Sequence, residues 1–317
     1  MLNGRGERRA GNLAMKESIW SASRRIALVP VNLAICRLPL PARRRALFML
    51  NHARLPHAAS PVSFNEKVNW RILNDRRPLL EWTCDKIAMK EHAGRVPDLH
   101  IPKTLWSGTD VRTLALANLP EQWVLKPNHR SGLVYFGTGQ PEIAQLEVET
   151  AGWLRENQYE ELGEWAYSKS RPLILAEELI GPPGSPPPNY KFFVFEGDVA
   201  AILVSAGRYV SHQLRMYLPD WTPLDVRYGA YSPAPVQPPP ASLDRMMAIA
   251  SDLGSEFDFM RIDLYDDSGS IFFGEYTPYV CSGLIGFRPR SFDADLGRKW
   301  RLPDLTAAAM PERRTTG

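Results

Sequence analysis

Hydrophobic residues recur along this chain with two different spacings, and each spacing predicts a type of element. An apolar residue at every third or fourth position predicts three helices, at 84–93, 147–160 and 243–253. A further helix is predicted to begin near Phe64, because Ser63 and Glu66 form a capping-box pattern in which each side chain bonds the other residue's backbone N–H. Short apolar runs bounded by polar turns predict six strands, at 123–126, 173–178, 190–195, 199–205, 259–265 and 271–276.

Short turns join two pairs of these strands, which favours antiparallel hairpins. One turn is Glu196-Gly197-Asp198 and the other is Asp267-Ser268-Gly269. The run GPPGSPPP at 181–188 is too rich in proline for regular structure and is predicted to be a loop at a subdomain junction. Helices therefore mix with hairpins, which predicts an α+β fold and not a doubly wound parallel sheet.

The second hairpin, MRIDLYDDSGSIFFGEYTP at 260–278, carries the strongest chemical signal. A three-residue loop at 268–270 would place Tyr265 opposite Phe273. The same register would place one carboxylate, Asp263, directly opposite another, Glu275.

Side chains alternate between the faces of a strand, so Arg261 and Thr277 would share a face with Asp263 and Glu275. Two carboxylates about 5 Å apart repel each other unless a cation lies between them. Mg²⁺ is favoured because it binds carboxylate oxygens and keeps waters and nucleotide phosphate oxygens. On this interpretation, removing either negative charge leaves the fold intact. The alternative is a solvated hairpin face without a ligand.

Three lysines next to small or polar residues form a second signal. Lys126 closes a predicted strand ahead of the turn at 127–132, while Lys86 and Lys191 lie in the runs CDKIAMK and NYKFF. Lysine binds phosphate as a point charge, and a turn containing Gly and Ser presents backbone N–H groups to the same anion. The alternative is that each lysine is an ordinary surface charge.

A third signal is the run AEELI at 176–180, an apolar strand that ends in two acids before the proline-rich loop. Such a strand end presents backbone groups to an adenine edge, and a carboxylate there meets ribose hydroxyls. The alternative is an edge strand with acids on the surface.

Charge is distributed unevenly along the 317 residues, a length that suits roughly two packed units. Residues 1–46 hold ten basic and two acidic residues, a balance of +8, so the remainder carries −5 of the net +3. A mildly acidic body argues against nucleic acid as a partner. The basic segment, with an apolar stretch at 26–40, instead predicts contact with an anionic membrane surface. The alternative is a disordered basic tail.

The cysteines and the hydropathy pattern narrow the class of protein further. Cys36, Cys84 and Cys281 are widely spaced and form no CxxC motif, which excludes a zinc ribbon or a disulfide scaffold. No run of 18 apolar residues and no secretory cleavage signal is found. We therefore expect a cytoplasmic protein, located peripherally on the inner face of the membrane.

Five segments of the chain together resemble one known family. They are FNEKVNWRILNDRRPLLEWTCDK, VLKPNHRSG, ILAEELI, NYKFFVFEGDV and RIDLYDDSGSIFFGEYTPYVCSG. In this order they resemble the ATP-grasp superfamily. In combination they are similar to its TupA-like family, which is associated with teichuronopeptide and other bacterial surface-polysaccharide biosynthesis. The resemblance covers about residues 60–303.

The resemblance implies an ATP-grasp fold, in which two α+β subdomains grip MgATP between antiparallel sheets. It implies an N-terminal segment, a nucleotide-lid part, a catalytic part and a tail, at 1–60, 61–180, 181–303 and 304–317. The implied activity is that of an ATP- and Mg²⁺-dependent ligase that forms an acyl phosphate, which an amine then attacks. Its substrates would be small-molecule or glycan-linked carboxylates and amines.

The resemblance also implies roles for individual residues. ATP phosphates would be contacted by Lys86, Lys126, Ser131 and Gly132. Adenine and ribose would be contacted by Glu177, Glu178, Leu179 and Ile180. The γ-phosphate would meet the catalytic residues Lys191 and Arg261, and magnesium would bind to Asp263, Glu275 and Thr277.

Two residues depart from the pattern of the superfamily. Thr277 stands where many ATP-grasp ligases have a metal-binding asparagine, and Arg130 replaces a glycine of the phosphate loop. Two other functions therefore stay open. One is a nucleotide- or glycan-binding module without catalysis, and the other is transfer of phosphate to a sugar hydroxyl.

Overall fold

The computed structural model describes residues 35–155, 158–182, 187–206 and 213–305. The α-helices of this part are α1 (Leu40–His52), α2 (Phe64–Asn74), α3 (Lys86–Ala93), α4 (Ile143–Glu149), α5 (Gln158–Leu162), α6 (Leu243–Gly254) and α7 (Arg290–Lys299). Its strands are β1 (Thr104–Gly108), β2 (Gln122–Pro127), β3 (Tyr135–Thr138), β4 (Ile174–Glu178), β5 (Asn189–Phe195), β6 (Asp198–Ala206), β7 (Gln213–Tyr217), β8 (Arg227–Tyr228), β9 (Ser232–Pro233), β10 (Met260–Asp267), β11 (Ser270–Thr277) and β12 (Phe287–Arg288).

Local sequence signals correctly predicted three of the seven described α-helices and did not predict α1 or α7. α2 begins at Phe64 as predicted, and its capping box is complete because Glu66 donates its N–H to Ser63 Oγ while Glu66 Oε2 accepts the Ser63 N–H. The helices predicted at 84–93 and 243–253 are confirmed as α3 and α6. The single helix predicted at 147–160 is wrong. α4 ends before Gly152, whose φ of 83° turns the chain out of the helical path, and α5 follows as a separate helix.

The larger sheet has six strands in the order β11-β10-β5-β6-β7-β9. All neighbouring pairs are antiparallel except β7 and β9. Helices α2 and α6 cover it and build an aromatic core, in which the Phe64 ring centroid lies 4.9 Å from that of Phe259 and 5.6 Å from that of Trp300. The predicted hairpins at 190–205 and 259–276 are confirmed as the centre and edge of this sheet.

The smaller sheet has four antiparallel strands in the order β1-β4-β2-β3. It encloses a core of its own around Trp123, Leu125, Leu146 and Trp153. Gly137 is required there, because a Cβ on it would lie 2.1 Å from the Trp123 ring. With two predominantly antiparallel sheets and helices packed on them, the predicted α+β class is confirmed.

Four charged residues join α2 to the start of β10, and we call them the Asp258 cluster: Arg71, Asp75, Arg77 and Asp258. Asp258 Oδ2 accepts hydrogen bonds from Arg71 Nη2 and from the indole N–H of Trp300, both at 2.6 Å. Arg71 also donates to the Phe259 carbonyl, at 2.9 Å, and its guanidinium lies 4.4 Å from the Trp300 ring centroid. The side chains of Arg71 and Asp75 are completely buried.

The described helices are all too short or too polar to cross a lipid bilayer. Residues 1–34 lie outside the described part of the chain, and so does most of the predicted apolar stretch at 26–40. The segment boundaries expected at 60, 180 and 303 remain predictions.

Candidate functional site

The β10–β11 hairpin brings the two predicted metal ligands together, although by a different register from the one expected. Its turn has two residues, Ser268 and Gly269, with φ of 53° and 91°. Tyr265 therefore pairs with Phe272, and the predicted pairing with Phe273 is wrong.

A β-bulge restores the pairing that matters for the site. The register shifts between Asp263 and Leu264, and Gly274 is the extra residue, so Asp263 pairs with Glu275 as predicted. A Cβ at Gly274 would lie 2.7 Å from the Asp263 carbonyl oxygen, which explains glycine at the bulge. Arg261 pairs with Thr277 two residues further on.

Four charged side chains meet on this face, and we call them the hairpin cluster: Lys191, Arg261, Asp263 and Glu275. Arg261 Nη2 lies 2.9 Å from Asp263 Oδ2 and 3.0 Å from Glu275 Oε1, and Arg261 Nε lies 2.6 Å from Asp263 Oδ1. Lys191 forms an ion pair with Asp263. The cation between the two carboxylates is thus supplied by the protein itself.

Access differs between the two carboxylates. Asp263 is buried, with a side chain 1% exposed, whereas the side chain of Glu275 is 39% exposed and open to solvent. Burial disfavours the charge on Arg261, but Asp263 and Glu275 outweigh this effect and raise the pKa of the guanidinium. Asp263 is the counter-ion of the buried Arg261 and the half-buried Lys191, so we expect the loss of its charge to cost more stability than the loss of the charge of Glu275. That both variants keep the fold remains a prediction.

These residues also offer the donor set that Mg²⁺ prefers. Arg261 Nη2 contacts the Thr277 hydroxyl at 2.9 Å, so two carboxylates and a hydroxyl converge on one guanidinium nitrogen. Within the described ranges, no group of three or more His, Cys, Asp or Glu side chains is arranged to hold a metal. A metal ion here would therefore take part of its coordination from water and phosphate, as Mg²⁺ does in nucleotide sites.

A second charged group lies between α3 and the smaller sheet, and we call it the lysine cluster: Lys86, Lys90, Lys126 and Glu177. Glu177 is buried and forms ion pairs with both Lys90 and Lys126. Burial alone would raise the pKa of Glu177, but the charges of Lys126 and Lys90 outweigh burial and lower it. β4 is an interior strand, so the alternative of an edge strand with surface acids is wrong.

Lys90 was not singled out from the sequence. Its spacing of four residues from Lys86 places both on one face of α3, and this periodicity was the available signal. Its ion pair with Glu177 depends on the packing of α3 against β4, which no local pattern encodes.

Lys86 holds the predicted phosphate turn. Its Nζ donates to the carbonyls of Pro127, at 2.9 Å, and of Asn128 and Arg130. Burial and then the nearby charge of Lys126 lower the pKa of Lys86 to about 8.

The remaining predicted residues surround these two clusters. The Ser131 side chain forms a hydrogen bond with Tyr167. Gly132 follows in the same turn with a φ of 79°. Glu178 Oε1 accepts the Lys103 N–H at 2.8 Å, and Leu179 and Ile180 continue the chain beyond β4, half-buried.

The lysine cluster and the hairpin cluster lie within electrostatic range of each other. The negative charge of Glu275 acts on both Lys86 and Lys126 and favours their protonated forms, although burial and Lys126 lower the pKa of Lys86 overall. Glu275 of the larger sheet thus lies in electrostatic range of cations of α3 and the smaller sheet, an arrangement suited to a polyanion that carries a divalent cation.

A separate cavity of about 330 Å³ lies in the layer of the smaller sheet. It is lined around Asp110, Arg112, Glu147 and Arg155, and none of its lining residues belongs to either cluster. Convergent charges, and not cavity volume, identify the candidate site.

Residues 66–301 match the family model described as TupA-like ATPgrasp. This chain belongs to that family. The predicted resemblance and the ATP-grasp fold are thereby confirmed.

Solved structures with similar folds include several ATP-grasp ligases. D-alanine–D-alanine ligase from Bacillus anthracis, complexed with ATP, is 15% identical at a TM-score of 0.37, with 62% of this chain and 54% of that chain covered. L-amino acid ligase from Bacillus licheniformis is 15% identical at a TM-score of 0.37, with 62% and 40% covered. The ligase PsnB, complexed with its minimal precursor, Mg and ADP, is 11% identical at a TM-score of 0.35, with 68% and 57% covered.

The aligned part of this chain spans about half the length of the first of these structures. No curated protein matches the sequence.

Proposed function

We propose that this protein is an ATP- and Mg²⁺-dependent ligase that joins a carboxylate to an amine. The observation that carries the proposal is the placement of Asp263 and Glu275 on one hairpin face, opposite the cations Lys86 and Lys126. Membership of the TupA-like ATP-grasp family supports the same activity.

Each cluster has its own part in this proposal. Lys86 and Lys126 hold the phosphates of ATP, and the strand end at Glu178 to Ile180 receives the adenine and ribose. Asp263, Glu275 and Thr277 would hold Mg²⁺, which would neutralise phosphate charge. Arg261 and Lys191, which lie beside these carboxylates, would stabilise negative charge on the γ-phosphate.

The proposed reaction has two steps. A carboxylate oxygen of the first substrate attacks the γ-phosphorus, the bond from that phosphorus to the β–γ bridging oxygen breaks, and ADP leaves. The amine nitrogen of the second substrate then attacks the acyl carbon, and the carbon–oxygen bond to phosphate breaks. The products are an amide, ADP, inorganic phosphate and the proton lost by the amine. Arg261 and Lys191 stabilise charge that develops on the transferred phosphoryl group.

Two other functions use the same nucleotide site. A binding module would hold ATP without turnover, and a phosphotransferase would pass the γ-phosphate to a sugar hydroxyl. They differ from the ligase only at the acceptor end of the cleft, so the fold does not separate them.

The experiment is to incubate the full chain with MgATP and pooled uronic acids and amino acids, then to measure ADP and the masses of the products. ADP together with an amide product supports the ligase. ADP with a phosphorylated sugar would replace it by the phosphotransferase, and ATP binding without ADP formation would replace it by the binding module. The variant Glu275→Gln is the matched control for contaminating ATPase activity.

We further propose that the protein acts in cell-surface polysaccharide synthesis on the cytoplasmic face of the membrane. Exposed apolar side chains support this location, since several lie on α1 or in the segments on either side of it: Leu38, Met49, Leu50, Leu55 and Val62. The basic residues of the segment 1–46, apart from the buried Arg44, complement an anionic leaflet.

Sedimentation with vesicles of phosphatidylcholine and phosphatidylglycerol tests this location. Binding should fall with added salt and with the double substitution Met49→Glu and Leu50→Glu. Val148→Glu is the control, because Val148 is equally apolar and 76% exposed but lies on α4. Equal vesicle binding by all three proteins would refute the proposed surface. Truncation is a poor test, since α1 packs into the fold through Leu47 and Phe48.

A further inference from the structure

The turn that follows the metal-binding hairpin has an unusual backbone. Cys281, Ser282 and Gly283 have φ of 45°, 55° and 64°, so three successive residues are left-handed. This conformation is unfavourable for residues with side chains, and it persists only where the surroundings hold it. The turn begins four residues after Thr277.

Helix α1 supplies contacts that hold this turn. Arg44 is completely buried, and its Nη1 donates to Ser282 Oγ at 3.0 Å while its Nη2 donates to the Ser282 carbonyl. His52, two helical turns further along, places Nε2 2.8 Å from the Gly283 carbonyl oxygen.

Arg44 also ties the turn to two other parts of the molecule. Its Nε donates to Asn69 Oδ1 on α2 at 2.8 Å, and Nη1 lies 3.4 Å from the Leu162 carbonyl at the end of α5. A guanidinium is suited to this task because its donors form a rigid planar fork. Lysine could keep the charge but not this set of bonds.

The turn lies within electrostatic range of the proposed catalytic residues. Cys281 is an exposed residue, but burial around its sulfur raises the pKa of the thiol, and the nearby charges of Arg261 and Lys191 act in the opposite direction. Ser282, the residue that Arg44 holds, is buried behind it. Arg44 therefore holds the residue that directly follows Cys281 in the turn.

We propose that Arg44 is a positioning residue, which holds the 281–283 turn in the conformation that the ligation step requires. The expected effect of Arg44 on kcat rests on the proposed function. Its effect on the conformation of the 281–283 turn does not. Helix α1 precedes the residues that match the family, 66–301, so this support for the site comes from outside the matched region.

The test compares Arg44→Met and Arg44→Lys with Arg45→Met, a substitution at an exposed arginine of the same helix. We expect both Arg44 variants to lower kcat about ten-fold or more, since small misplacements of an active-site segment have effects of this size. The Kd for ATP should change less than about two-fold, because Lys86 and Lys126 are not in contact with the turn. Arg45→Met should leave all of these quantities unchanged.

A second readout reports the turn directly and does not depend on activity. In a Cys36→Ser background, Cys281 is the exposed cysteine of the described residues, since Cys84 is 1% exposed. Its rate of modification by iodoacetamide should change at least about three-fold in the Arg44 variants and not in Arg45→Met, as a loosened segment alters thiol access. If Arg44→Met does not fold, Arg44→Lys and Ser282→Ala provide the same comparison.

The outcomes separate this inference from the proposed function. If the parent protein forms no amide, the ligase proposal fails, while the thiol rates still decide whether Arg44 positions the turn. If the folded Arg44 variants keep the parent thiol rate and kcat, Arg44 is a structural residue only and the inference is overturned.

Discussion

Two clusters of four charged residues meet near the start of β10, and they differ in exposure. Asp258 lies two residues before β10, and the hairpin cluster includes Arg261 and Asp263 of that strand. Each cluster contains two cations and two carboxylates. In the Asp258 cluster Arg71 lies against the Trp300 ring and both carboxylates are buried, whereas in the hairpin cluster the Glu275 side chain is 39% exposed.

The comparison teaches that access, and not residue type, separates a structural cluster from a functional one. The buried carboxylate of Asp258 has all its partners in the protein: two arginines and an indole N–H. The Asp258 side chain is only 7% exposed, against 39% for Glu275. In the hairpin cluster the partner of Glu275 is a guanidinium that a metal ion could replace from the solvent side.

The largest effect, a loss of stability, is expected from a substitution in the Asp258 cluster. Asp258→Asn leaves Arg71 and Arg77 without one of their carboxylates, and removing one partner of a buried ion pair costs about 3–5 kcal/mol. Urea denaturation should show this loss in the free energy of unfolding. Asp244→Asn, at a carboxylate in the first turn of α6, is the control. If the free energy of unfolding fell by less than about 1 kcal/mol, which is the range for an exposed ion pair, the Asp258 cluster would not behave as a buried one.

The second-largest effect is expected in the hairpin cluster, where a substitution should lower activity much more than stability. Glu275→Gln should lower turnover by about 10²–10³, the range for losing one group that stabilises transition-state charge. It should also raise the Mg²⁺ concentration needed for half-maximal rate. Because Glu275 is partly exposed, the free energy of unfolding should change by less than about 1 kcal/mol. Normal turnover in Glu275→Gln would remove the metal site from this hairpin.

A smaller effect is expected at the lysine cluster. Lys126→Ala should weaken ATP binding by about 1.5–3 kcal/mol, the range for hydrogen bonds to charged groups. The fold should persist because Glu177 keeps Lys90 as a counter-ion. Calorimetric titration with ATP measures the change, and Lys299→Ala on α7 is the control. An unchanged Kd in folded Lys126→Ala would exclude Lys126 from the nucleotide site.

The smallest effect concerns pH and the pKa of Lys86. Bound phosphate favours protonated Lys86, so ATP affinity should fall as the pH rises above about 8, by about 1.4 kcal/mol per pH unit at most. The contribution of Lys86 to the free energy of unfolding should change in the opposite direction. Its pKa is lower in the folded protein than its ordinary value of 10.5, so this contribution increases as the pH rises from about 8 to 10.5.

Titrations of ATP between pH 7 and 9.5, with Lys86→Gln for comparison, test this pH dependence. The variant should lose the pH dependence of ATP binding in this range. If the parent and the variant show the same pH dependence, Lys86 does not bind the phosphates.

The hairpin shows how far sequence reasoning reaches. The alternation of side chains correctly predicted that Asp263 lies opposite Glu275, but the predicted three-residue loop was wrong. The pairing of the two carboxylates is nevertheless as predicted, because the extra residue Gly274 in the bulge compensates for the turn being one residue shorter. A bulge depends on the neighbouring strand and on the packing of both faces, so a one-residue change in a turn cannot be read from periodicity alone.

The sequence by itself determined the features that depend on neighbours along the chain. The capping box at Ser63 and Glu66 is such a feature, and so is the turn at Gly269, which needs a residue that tolerates a positive φ. These signals act within a few residues, where the backbone geometry is common to all proteins.

Tertiary structure alone decided which distant charged and polar side chains contact each other. Arg44 holds Ser282 from 238 residues away, and Arg71 reaches Asp258 across 187 residues. The sequence contains these residues but no local pattern that pairs them. Their pairing follows from burial, because a charge inside the fold must find a counter-charge or a set of acceptors wherever packing has placed one.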